Sequence, residues 1–150
     1  MTSKITTVYG AYNTWISGIL TSYKKLPNPY SSENNSELLL KKGYGIAIGA
    51  GENTNRYFGC KHSTKRTFAV ILTNQVTVTD HNVTGHASAE LALLEDAYLL
   101  RKAVETDPTL LNSTTKTLYQ DDTGIEFVEN DRFKFFKIVI NFVSEYIEDN

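Results

Sequence analysis

The sequence predicts an α+β fold in one domain spanning residues 1–150: an antiparallel-rich, mixed sheet with two amphipathic helices packed on one face. Between Phe133 and Tyr146, the residues Phe136, Ile138, Ile140 and Phe142 alternate with Lys137, Val139 and Asn141. A period of two marks a long strand with one buried face. Near the start, Ile5, Val8, Tyr12, Trp15, Ile16, Ile19 and Tyr23 recur at spacings of three and four, which lines them along one stripe of a helix. Patterns of these two kinds follow in the order α-β-β-α-β-β, and 150 residues suffice for one substantial core.

The first helix is predicted over Ser3–Lys24, with Ser3 as N-cap and Pro27 and Pro29 beyond its end. Residues 27–36, PNPYSSENNS, read as a loop. A strand follows over Leu38–Ala50, where Leu40, Tyr44, Ile46 and Ile48 alternate with Lys41, Gly43, Gly45, Ala47 and Gly49. Small residues along one side would let a helix approach the sheet closely. Residues 51–66 read as a long connection, of the length that is usually functional or mobile. The next strand, Thr67–Thr79, is rich in β-branched and aromatic residues: Phe68, Val70, Val76 and Val78. The second helix is predicted over Ser88–Thr106. Leu93, Ala97, Leu100 and Val104 form its buried stripe, Glu95, Arg101, Lys102 and Glu105 its wet face, and Pro108 ends it. A strand over Thr115–Glu129, a tight turn at Asn130-Asp131 and the final strand form a closing hairpin.

Composition narrows the function classes. Hydrophobic residues at 41% and charged residues at 21% describe a globular chain rather than a disordered one. A net charge of −2 argues against general nucleic-acid affinity, which needs a strongly basic face. The single cysteine, Cys60, excludes an internal disulfide and a cysteine-based zinc cluster. Met1–Tyr9 lacks the pattern of a signal peptide, and no apolar run reaches the ~18 residues of a membrane span. The expectation is a soluble protein made in a cytoplasm, in which the sequons at Asn34, Asn82 and Asn112 are chance matches.

Each candidate chemistry meets an objection. Asp80, His81 and His86 share the polar stretch TDHNVTGH, but their spacing fits no standard metal-ligand pattern. Cys60 and His62 have no orienting third group beside them. In GYGIAIGAG, residues 43–51, the third glycine of a GxGxxG motif is replaced by Ile48, and no helix follows. The carboxylates Asp121, Asp122, Glu126, Glu129 and Asp131 lack EF-hand spacing. No catalytic residue, cofactor or metal is therefore expected. One asymmetry stands out: residues 56–66 carry Arg56, Lys61, Lys65 and Arg66 with no acid, whereas 121–131 carry five acids with no base. Opposite patches of this kind suit a head-to-tail contact between subunits, with Arg56, Lys61, Lys65, Arg66, Asp121, Asp122, Glu129 and Asp131 as interface candidates. Two unrelated solvated loops are the simpler reading.

Taken together, an N-terminal helix, the pair GYGIAIGAGEN and TFAVILTNQVTVTD, the helix SAELALLEDAYLLRKAVET and the hairpin GIEFVENDRFKFFKIVINFVSEYIED resemble the tail terminator family of long-tailed bacteriophages, also called tail completion or tail-to-head joining proteins. The resemblance implies a non-enzymatic virion protein that forms a ring, typically a hexamer, on the head-proximal end of the tail tube. Its partners would be further copies of itself, the tail tube protein and a neck or head-completion protein, with DNA passing through the lumen and no membrane contact. It would assemble in the host cytoplasm and reside in the virion. The alternatives are another neck or minor tail protein, such as a head-completion (stopper) protein, and a small α/β enzyme or ligand-binding domain using Asp80, His81 and His86.

Overall fold

A computed structural model describes residues 4–26, 42–56, 61–76, 83–129 and 134–149. Helix α1 covers Lys4–Ile19 and buries Val8, Tyr12, Trp15 and Ile16, the stripe read from the sequence. It stops five residues before the predicted Lys24. The run SGILTS contains weak helix formers, and the chain turns at Leu20, whose carbonyl accepts from the Tyr23 amide at 3.1 Å. The freed residues form the short strand β1, Lys24–Lys25.

Two long strands follow, β2 over Lys42–Arg56 and β3 over Lys61–Val76. The predicted connection over 51–66 is thereby corrected. Gly51 stands opposite Arg66, Glu52 opposite Lys65 and Arg56 opposite His62, so the segment is the outer half of an antiparallel hairpin with a bulge after Ile48. Helix α2, Val83–Thr106, begins five residues ahead of the predicted Ser88 and takes in His86. Its stripe of Leu93, Ala97, Leu100 and Val104 is buried as expected. Asp107 then caps a turn: its carboxylate accepts from the Thr109 hydroxyl and from the amides of Thr109 and Leu111, and the Thr109 hydroxyl bond is foremost in lowering its pKa. Leu110, Leu111 and Asn112 are held there with positive φ.

The predicted strand over Thr115–Glu129 is two strands, β4 (Lys116–Asp122) and β5 (Glu126–Glu129). Gly124 at φ 73° breaks the run, with its amide held by the Asp122 carboxylate at 2.8 Å. Both pair antiparallel with β6, Lys134–Asp149, which pairs β3 along its other edge. The strand order is β1-β2-β3-β6-β4, with β5 also on β6; among the described residues only the β1–β2 pair is parallel. The architecture is the predicted α+β domain with a mixed sheet.

Alternation along β6 separates the faces. Phe136, Ile138, Ile140, Phe142, Ser144 and Tyr146 are buried, and with Phe68, Val70 and Leu72 of β3 they meet both helices in one core. Tyr12 stacks on Phe68 at 4.6 Å between ring centroids, and Trp15 meets Phe142 edge-on at 5.5 Å. A file of buried hydroxyls crosses this core. Tyr12 Oη lies 2.6 Å from Ser144 Oγ, Ser144 Oγ 2.8 Å from Thr117 Oγ1, and Thr117 Oγ1 2.9 Å from Thr114 Oγ1. Burial pushes the Tyr12 phenol well up from its ordinary pKa, an effect the Ser144 and Thr117 hydroxyls partly offset.

Candidate functional site

The two faces of the sheet differ in what covers them. Both helices pack on the side of Tyr44, Ile46, Phe68 and Phe142. The glycine-rich side of β2 faces the other way, so the expected close approach of a helix to it is replaced. The side chain that a Cβ on Gly43 would strike, at 2.5 Å, belongs to Leu26 just past β1. Among the described residues no helix packs on this second face. Its β2–β3 part is lined by Gly45, Ala47, Thr67, Ala69 and Ile71, and its β6–β4 part by Val139, Asn141, Val143 and Leu118. Ile71 is buried, but Ala47, Thr67, Ala69, Val139 and Val143 are partly open and Leu118 is 49% exposed.

Bulges on either side shape this face. One interrupts β2 between Ile48 and Gly51, and another interrupts β4 between Tyr119 and Asp121. Bulged strands bend, and between the two bends lies an open groove of about 520 Å³ lined by Ala50, Gly51, Lys65, Thr67, Leu118 and Val143, among others.

Register also explains the charge asymmetry of the sequence. Strand β6 is basic at its start and acidic at its end. Lys65 stands opposite both Glu52 and Glu145, His62 opposite Glu148, and Lys61 opposite Asp149. At the other end Glu126 stands opposite Lys137 and Glu129 opposite Lys134. The segment 56–66, which lacks acids of its own, thus meets acids of β6, and the acids of β5 meet lysines of β6. Opposite charges across strands favour one register over its slipped alternatives.

The eight interface candidates therefore divide. Arg66 is engaged within the chain: it donates from Nε to Tyr146 Oη at 3.1 Å and from a terminal nitrogen to the Gly49 carbonyl at 2.9 Å. A Cβ on Gly51 would lie 2.6 Å from its guanidinium, so glycine makes room for it. Asp122 is also committed, accepting from Tyr119 Oη at 2.6 Å and from the Gly124 amide. Asp121 is exposed and accepts from Asn141 Nδ2 at 2.7 Å; Lys65 is exposed and makes no ion pair among the described residues. Arg56 ends β2, Lys61 begins β3 and Glu129 ends β5. Asp131 lies outside the described residues, as do Cys60, Asp80, His81 and the Asn130-Asp131 turn; His86 falls in the first turn of α2.

A polar cluster joins the helices to the sheet end. Tyr23 Oη donates to Asp96 at 2.6 Å, and Lys42 Nζ lies 3.9 Å from the same carboxylate. Burial, reinforced by Asp96, pushes the Tyr23 phenol far up, which makes this a structural tie rather than an acid–base pair. No group of three or more His, Cys, Asp or Glu able to hold a metal ion occurs among the described residues, and no described helix is long and apolar enough to cross a membrane.

One surface feature escaped the sequence reading. The outer side of α2 is not uniformly wet: Leu91, Leu94, Tyr98 and Leu99 are 62%, 42%, 55% and 44% exposed. The spacing of Leu91, Leu94 and Tyr98 was its signal, a second apolar line on a helix assigned only one. No protein-family model matches the chain, and no curated protein matches its sequence.

Proposed function

We propose that the chain is a non-enzymatic structural subunit of a long-tailed phage virion, a terminator that forms a ring on the head-proximal end of the tail tube. The observation that supports an assembly role most directly is the open, partly apolar face of the sheet. Among the described residues Leu118 is 49% exposed and Ala47, Ala69, Val139 and Val143 are partly so, and apolar side chains grouped on a surface are one mark of an interaction site. The order and patterning of the elements, through their resemblance to tail terminators, supply the identity of the assembly. Ending a polymer asks for a subunit that binds the last tube ring yet offers no site for another. A closed heterologous ring meets both demands, because its lateral contacts are satisfied within the ring and its two ends differ. Its partners on this reading are further copies of itself, the tail tube protein and a neck protein, with DNA as passing cargo.

Deletion in the parent phage tests this. Lysates lacking the protein should contain tails of uncontrolled length, unattached to filled heads, when viewed by negative-stain microscopy. Tails of normal length still joined to heads would transfer the chain to another neck or minor tail role. Normal, infectious virions would remove it from the tail and return the enzyme class to consideration.

A further inference from the structure

Apolar side chains collect on two parts of the surface, and these lie on opposite sides of the molecule. One is the ridge of Leu91, Leu94 and Tyr98 on α2, in the helical layer. The other is the open sheet face around Ala69, Val143 and Leu118. Strand β6 makes the second unusual. Its second face carries Phe135, Val139 and Val143 beside Lys137 and Asn141, so it is mixed where an antiparallel strand with one wet face would be polar throughout.

We propose that the α2 ridge of one copy docks on the open sheet face of the next. Dimensions favour a second copy as the occupant. The ridge from Leu91 to Tyr98 runs about 10 Å along α2 at 1.5 Å per residue. Four strands spaced about 4.8 Å apart, followed for roughly nine residues from Ser63 to Ile71 of β3, give a face of about 19 by 30 Å. That is on the order of 600 Å² per partner, near the roughly 800 Å² of a standard stable interface. Gly45, Ala47 and Ala69 keep the face low enough for a helix to come close, and the groove between the bulges receives a large ridge side chain. Ridge-on-ridge pairing would leave every sheet face open, and face-on-face pairing every ridge. Ridge-on-face covers both in each copy. It is heterologous, so repeating it generates a ring where the rotation closes and a filament where it does not. This deepens the ring reading above and rests on it for closure.

Two variants with opposite defects decide the matter. Leu94→Glu with Tyr98→Glu spoils the ridge; Thr67→Lys with Leu118→Lys spoils the face, with Leu118→Lys alone as the milder form. The protein is measured by sedimentation velocity and light scattering at micromolar concentration, with melting temperature as the control for folding. Wild type should run as a multi-subunit species, and each variant should fall to the protomer mass with melting little changed. An equimolar mixture should double that mass. One variant retains an intact face and the other an intact ridge, so one contact forms and cannot propagate. Wild type at protomer mass, variants that assemble like wild type, or a mixture that stays at protomer mass would each overturn the contact. The tail-length assay is independent of this one. Doubling in the mixture with normal tails in the deletion keeps the contact and removes the terminator reading; overlong tails with a fully assembling ridge variant do the reverse.

Discussion

Replacing Ser144 by Ala removes one oxygen from the middle of the buried hydroxyl file. Thr114 Oγ1 donates to the Pro108 carbonyl at 3.3 Å, and a carbonyl can only accept, so the file has one sense. Tyr12 donates to Ser144, Ser144 to Thr117, and Thr117 to Thr114. Tyr12, Ser144 and Thr117 are all 0% exposed, which excludes water as a substitute partner at the surface. Ser144→Ala takes away the 2.6 Å acceptor of the buried Tyr12 hydroxyl, leaving only the lesser influence of Thr117, and should cost about 2–3 kcal/mol. Tyr12→Phe removes only the first donor, and Ser144 still donates onward, so its cost should be about 1 kcal/mol. With both changes no Tyr12 hydroxyl remains, and the double variant should lose about 1–1.5 kcal/mol less than the sum of the singles. Urea denaturation gives these values directly, provided the slope m is unchanged. For a domain of this size Ser144→Ala should lower the melting temperature by roughly 5–10 °C. Additive single and double variants, or Ser144→Ala within ~0.5 kcal/mol of wild type, would refute the file as a cooperative unit.

Further outcomes follow from the core and the sheet. Ile140, 1% exposed between Val70 and Asp122 in register, should not tolerate Asp: an unpaired buried charge costs roughly 3–5 kcal/mol, and soluble, heat-stable Ile140→Asp protein would refute the assigned register. Folding raises the pKa of both Tyr12 and Tyr23, so their contribution is intact below the unfolded tyrosine value near 10 and falls above it. The loss is about 1.4 kcal/mol per pH unit for each, and absorbance at 295 nm should show these two of the nine tyrosines ionising only with unfolding. Gly43→Ala meets buried Leu26 and Thr73 and should cost about 1–3 kcal/mol, whereas Gly51→Ala meets only the movable end of Arg66 and should cost less; the reverse order in denaturant midpoints would contradict the packing.

Much of the fold was legible because apolar periodicity reports directly on a two-sided environment. The stripe on α1, the stripe on α2 and the even side of β6 were all readable that way. The outer half of the β2–β3 hairpin was not. Glu52 and Lys65 lie on one side there and Asn53 and Thr64 on the other, so polar residues occupy both faces and no apolar period survives. Its pairing is fixed by backbone register to β6, a long-range fact. The break between β4 and β5 was signalled only by Gly124, which takes a positive φ there, beyond the bulge that already interrupts β4. For the candidate surface, both charge clusters were visible, but their complements sit in β6, which is remote in sequence. Which side of the glycine-rich strand the helices would choose was likewise undecidable locally.

The place of β6 has a consequence for how the subunit is made. It is the interior strand joining the β2–β3 hairpin to β4 and β5, yet it is the last strand in chain order. Fifty-eight positions separate Val76 from Lys134, which at 5–20 residues per second is roughly 3–12 s of synthesis. Throughout that interval the nascent hairpin presents the edge of β3 with no strand beside it, while α1, already made, can cover Phe68 through Tyr12. The pairings of β6 with β3, β4 and β5 form only once β6 emerges, and long-range pairing of this kind folds slowly. A shortened product ending before β6 leaves the β3 edge unpaired, the kind of exposed edge that invites aggregation. The sheet face lined by Val139, Asn141 and Val143 is therefore completed only when β6 has been made and paired with β3.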